Sequence, residues 1–123
     1  MNKYTKLSDF EINKKVAINV GGFALSLMVF DDRNGVVKKN IPNIGSRVFT
    51  EFNPCNNPAD AMPIIIENNI SLRAPTITDR WKAEFIDEYG NYVGYRRALN
   101  KNPLRAAMEL FLLIKDAENK NGN

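Results

Sequence analysis

Asn102-Pro103-Leu104-Arg105-Ala106-Ala107-Met108-Glu109-Leu110-Phe111-Leu112-Leu113-Ile114-Lys115-Asp116-Ala117 is the stretch on which the fold turns. Asn102 is a good N-cap, because its side-chain oxygen can accept from a free backbone N–H of the first turn. Pro103 suits the first helical position, where no N–H is needed. The spacing predicts a helix that starts at Asn102 and runs to about Ala117. At 100° per residue its clearly polar arc holds only Arg105, Glu109 and Asp116, and apolar side chains take roughly two thirds of the circumference. A helix this apolar cannot be hidden against one sheet face. It needs cover from two directions, by other helices or by a second subunit. Burying one such side chain is worth ~1.5–3 kcal/mol, so an uncovered strip is costly in a small domain.

Upstream of that helix, residues 81–86 alternate, with Trp81, Ala83 and Phe85 on one side and Lys82, Glu84 and Ile86 on the other, which reads as a strand. Gly90-Asn91 supplies a turn and residues 92–99 a return strand. Before the hairpin, Asn57 caps a helix with Pro58 at its first position and Asp60 at its positive end. Ala61, Met62, Ile65 and Ile66 share a face, and Asn68-Asn69 ends it. Residues 70–74 then lead into a loop closed by Pro75. At the start of the chain, Ser8 and Glu11 have capping-box spacing, which predicts a helix from Asp9 to about Ala17 that Gly21-Gly22 terminates. Residues 23–30 read as a strand, Asp31-Asp32-Arg33-Asn34-Gly35 as a turn, and residues 36–39 as its return. A short strand is expected within residues 47–52. The fold class is therefore α+β, an antiparallel sheet built from β-hairpins and flanked by about three helices.

With 123 residues, 44% hydrophobic and 25% charged, the chain is expected to be a single domain spanning residues 1–123. It contains no histidine, which removes His-based acid/base catalysis, Ser-His and Cys-His pairs and the usual zinc or copper sites. The single cysteine, Cys55, cannot form an intramolecular disulfide, and neither end carries a secretory or lipidation signal, so a reducing cytoplasm is the expected compartment. The longest apolar run, residues 20–30, falls far short of the ~20 needed to span a bilayer, and no membrane contact is expected. The net charge of +3 is spread as +3 over residues 1–40, −2 over 41–79 and +2 over 80–123. A dedicated nucleic-acid binder usually carries a denser basic stripe, so nucleic acid is permitted as a partner without being argued for.

Two clusters qualify as candidate sites. The amides of Asn53, Asn56 and Asn57 could hydrogen-bond a ligand at a helix start, although the same residues serve caps and turns as well, and Asp60 would repel an anion. The second cluster, Tyr95, Arg97, Lys101, Asn102 and Arg105, gathers where the return strand meets the last helix. Free N–H groups, a positive dipole end and cationic neighbours there suit a phosphate. Adjacent Arg96 and Arg97 point to opposite faces of a strand, so only one can meet a given ligand. Trp81 reads better as core than as a stacking platform. Asp31, Asp32, Asp79, Asp87 and Glu88 lack metal-ligand spacing, and Ser26, Ser46, Ser71 and Thr78 lack a recognisable base. No catalytic residue, cofactor or metal site is expected, and the chain does not read as an enzyme.

Three stretches are recognisable as a set: Leu7-Ser8-Asp9-Phe10-Glu11-Ile12-Asn13; Phe52-Asn53-Pro54-Cys55-Asn56-Asn57-Pro58-Ala59-Asp60-Ala61 with Pro63-Ile64-Ile65; and Asn102-Pro103-Leu104-Arg105-Ala106-Ala107-Met108. Together they resemble the NinX-like phage proteins over nearly the whole chain. The later elements are also similar to small phage domains built as α-β-α sandwiches. The resemblance implies a phage or prophage accessory protein acting in the host cytoplasm, and it supplies no catalytic residue. The expected function is non-catalytic binding of a host or phage macromolecule, as a homodimer or with a protein partner. The rival reading is an anti-defence protein that sequesters a nucleotide-like anionic ligand at Arg97, Lys101 and Arg105. Nucleic-acid binding is a weaker alternative.

Overall fold

The computed structural model describes residues 2–41, 48–86, 89 and 92–121, with the backbone alone at 86, 92–96, 120 and 121. Helix α1 (Asp9–Val20) starts where Ser8 Oγ accepts from the Glu11 N–H at 3.1 Å, which is one half of a capping box. It ends at Gly21, whose φ of 65° only glycine adopts without strain. Here the chain departs from the strand expected over residues 23–30. Gly22 also has positive φ, the Leu25 N–H donates to the Gly21 carbonyl, and Ser26 Oγ donates to the Phe23 carbonyl. The result is a short helix α2 (Gly22–Ser26), and strand β1 (Met28–Asp31) starts only after it. The paired glycines reverse the chain so tightly that a helical turn closes before extended backbone can begin.

β1 pairs antiparallel with β2 (Val36–Asn40) across the expected turn, which the Asp31 carboxylate braces by accepting from the Asn34 backbone and side chain. β3 (Phe49–Glu51) completes this first sheet. It falls inside the expected 47–52 strand, of which residue 47 lies outside the described residues. Helix α3 (Pro58–Glu67) is capped as expected, with Asn57 Oδ1 accepting from the Ala59 N–H at 3.0 Å. The segment expected to lead into a loop is instead strand β4 (Ile70–Arg73), set antiparallel against β5 (Trp81–Ile86). Its alternation is too short to be read without the partner strand. β6 (Tyr92–Asn100) pairs with β5, while the Gly90-Asn91 turn lies outside the described residues.

The α+β class is as expected, but the strands form two three-stranded antiparallel sheets, β1-β2-β3 and β4-β5-β6, not one. Helix α4 (Pro103–Asn121) lies between the second sheet and helices α1 and α3. Met108, Leu110, Phe111, Leu112 and Ile114 are buried. The cover that α4 demands thus comes from its own chain, and its apolar circumference gives no reason to invoke a second subunit. Its polar arc is covered too, by the segment that precedes α1.

Candidate functional site

Arg105 and Glu109 sit one helical turn apart on α4, so their side chains lie on one face. Both are buried: Arg105 is 6% and Glu109 0% exposed. A buried charge pair persists only if its remaining donors and acceptors are matched. Here they are. Arg105 Nε donates to Glu109 Oε2 at 2.7 Å and Nη1 to Asp9 Oδ1 at 2.7 Å. Its Nη2 donates to the carbonyls of Tyr4 at 2.9 Å and Leu7 at 2.8 Å. Every nitrogen of the guanidinium therefore has an internal acceptor. Glu109 Oε1 accepts from Asn2 Nδ2 at 3.0 Å, and its Oε2 also accepts from Asn100 Nδ2 at 3.5 Å. Farther along α4, Asp116 accepts from the Tyr4 hydroxyl and pairs with Lys3 at 3.0 Å.

The second half of the constellation is made of asparagines. Asn102 Oδ1 caps α4 by accepting from the Leu104 N–H at 2.9 Å, while its Nδ2 donates to the Cys55 carbonyl at 2.7 Å and to Asn56 Oδ1 at 3.1 Å. Asn56 Nδ2 in turn donates to Asp9 Oδ2 at 3.0 Å and Asn53 Oδ1 at 3.1 Å. The buried Asn13 closes the circuit: its Nδ2 donates to Asn53 Oδ1 at 2.9 Å, and its Oδ1 accepts from the Cys55 N–H at 3.2 Å. Asn53 and Asn56 of the first candidate cluster are therefore joined to Asn102 and Arg105 of the second.

The electrostatics fix these groups in single protonation states. Burial works against ionisation of Asp9, but hydrogen bonds from Asn56 and Arg105, and the Arg105 charge, outweigh it and hold the carboxyl below its usual range. Burial, the Asp116 hydrogen bond and the Asp116 charge push the Tyr4 phenol upward. Burial, with the Asp9 charge beside it, pushes the Cys55 thiol up to about 12, so it stays protonated and unreactive. None of these groups is tuned towards neutral pH, where a general acid or base works best.

Of the residues singled out from the sequence, Asn53, Asn56, Asn102 and Arg105 are in this network, and Asn57 stays at its cap. Arg105 was expected to face a ligand; it is spent on the fold, because the returning N-terminal segment supplies its acceptors. Arg97 and Lys101 are elsewhere. Arg97 is exposed on β6 opposite Glu84, and Lys101 is exposed and paired with Asp79 at 3.2 Å. Tyr95 is described by its backbone alone. Sequence reasoning missed Asp9, Asn13 and Glu109. Glu109 carried a signal: a lone Arg–Glu pair one turn apart, on a helix that must be covered all round, is a candidate for internal pairing.

The stretches that meet in this network are the three by which the chain resembles a phage family, and the family model of NinX from bacteriophage P22 matches residues 3–115. The chain belongs to the NinX family. No curated protein and no solved structure matches it. Membership makes the chain a phage accessory protein. Within these stretches Asp9, Asn13, Asn53, Asn56, Asn102 and Arg105 tie distant segments together. Among the described residues there is no group of three or more His, Cys, Asp or Glu that could hold a metal ion. No helix among them is long and apolar enough to cross a membrane.

Proposed function

We propose that this NinX-family chain is a non-catalytic binding protein that engages a host or phage macromolecule in the host cytoplasm. One observation carries the reading. The convergence of polar and titratable side chains from distant segments around Arg105 is satisfied by the chain's own partners, with Arg105 and Glu109 themselves buried. What remains for function is surface. The rival reading, sequestration of a small nucleotide-like anion, loses its central residue with Arg105, and Lys101 is already paired with Asp79. Native mass spectrometry of the tagged chain captured from phage-infected cells tests the proposal. The expected spectrum contains a macromolecule, a second copy of the chain included, at fixed stoichiometry. A retained mass of a few hundred daltons with no macromolecule would overturn it in favour of sequestration.

A further inference from the structure

α4 covers one face of the second sheet, where Ala83 and Ala98 are buried opposite each other. Strand alternation puts Arg73, Lys82, Glu84, Arg97 and Leu99 on the other face. Helix α4 packs on all three strands of this sheet and α3 on β4. Arg73 and Lys82 are cross-strand partners, and both reach Glu84, at 3.4 and 3.6 Å. The Glu84 carboxylate, itself buried beneath them, thus holds two cations and leaves a positive charge over. Arg80 and Arg97, both exposed, enter no ion pair among the described residues. Arg80 also joins Arg73, Lys82, Thr76 and Thr78 around an open cleft of about 180 Å³, which brings two hydroxyls alongside the cations. Elsewhere Lys3, Lys14, Lys38 and Lys115 are each paired one-to-one with a carboxylate, and the exposed Lys6, Lys15 and Arg33, which enter no ion pair among the described residues, are not gathered on this face.

We infer that this open face is a binding surface for the phosphodiester backbone of a nucleic acid, with Arg73, Arg80, Lys82 and Arg97 as its cations. The inference rests on the reading of the protein as a macromolecule binder and names the partner's class. A free nucleotide is held by donors that converge on it and bury most of its surface. These cations do the opposite: they are spread over three strands and a loop on an open surface, the pattern that suits a linear polyanion. Glu84 limits the net charge of the face and so sets the strength of binding.

The test is fluorescence anisotropy of the full chain with labelled single-stranded and duplex oligonucleotides of ~20 nucleotides, titrated at 50–200 mM salt. Four cations against one carboxylate act as about three, giving a log–log salt slope near −2.7 on duplex and ~40-fold weaker binding across that range. Arg80→Ala and Arg97→Ala should each flatten the slope by about 1, whereas Lys14→Ala, away from the face, should leave it unchanged. Glu84→Gln should act in reverse, tightening binding and steepening the slope, which no loss of folding would produce. Salt-independent binding, unchanged slopes in Arg80→Ala and Arg97→Ala, or equal competition by poly-glutamate would overturn the assignment. If no oligonucleotide binds while infected cells yield a stoichiometric protein complex, the nucleic-acid inference fails alone. If neither partner is found, the macromolecule reading fails with it.

Discussion

Arg105 and Arg97 lie eight residues apart and have the same side chain, yet the fold puts them to opposite uses. Around Arg105 the carboxylates of Asp9 and Glu109 outnumber the cation, the guanidinium is buried, and Nη1 and Nη2 are tied to the N-terminal segment while Nε pairs within α4. Around Arg97 the cations outnumber the single, buried carboxylate of Glu84, and Arg73, Arg80 and Arg97 are exposed. The first arrangement makes charge a means of fixing chain topology. The second keeps it available to a partner. What separates them is the N-terminal segment, whose carbonyls and Asp9 carboxylate close on Arg105, whereas Arg97 stays exposed on β6.

The contrast is broken most directly by removing each arginine in turn. Arg105→Met strands Glu109 in the interior and frees Tyr4 and Leu7, so a loss of about 3–5 kcal/mol is expected in urea unfolding. A loss below about 1 kcal/mol would mean that the inner network is not holding the fold. Asn102→Ala removes a cap and the tie to the Cys55 carbonyl together, with an expected cost of about 1–2 kcal/mol by the same measurement. Tyr4→Phe should cost about 1 kcal/mol through the lost bond to Asp116.

That tyrosine also sets a pH signature. Its folded pKa is raised, so its contribution is present below the ordinary tyrosine value of 10.0 and is lost as pH rises beyond it, when only the unfolded chain ionises. Thermal melts of Tyr4→Phe should therefore fall less steeply above pH 10 than those of the parent chain. Asp9 has the opposite sign. Its folded pKa is depressed, so its contribution is present above the ordinary value of 3.8 and is lost as pH falls below it. Asp9→Asn should flatten the acid limb of the stability curve, and an unchanged limb would remove Asp9 from the network. Smallest of all, Arg97→Ala should leave stability within about 0.5 kcal/mol of the parent chain, as expected for an exposed side chain with no tie to the core.

The sequence was legible where the determining interactions are local. Asn57 and Asn102 cap helices whose starts follow from the Asn-Pro pairs alone, and Trp81–Ile86 is a strand whose alternation is visible along six residues. β4 was not legible, because four residues acquire strand character only from pairing with β5. Nor was α2, since nothing in residues 22–26 reveals that Gly21 and Gly22 will both take positive φ. The inner network was hidden for a related reason. The bond between Asp9 and Arg105 spans 96 positions, and neither residue announces the other. Arg105 looked like a ligand contact because a cation beside a helix start suits a phosphate. The phosphate's place is taken by a carboxylate and two backbone carbonyls from the beginning of the chain.

The central claim is that residues marking the NinX family tie the two ends of this chain together as one unit. A double-mutant cycle on Asp9→Ala and Arg105→Met, read by urea unfolding, tests it most directly. The expected result is a coupling energy of about 1 kcal/mol or more between positions 96 residues apart. Strictly additive losses would contradict the claim and return Arg105 to the pool of residues available for a ligand.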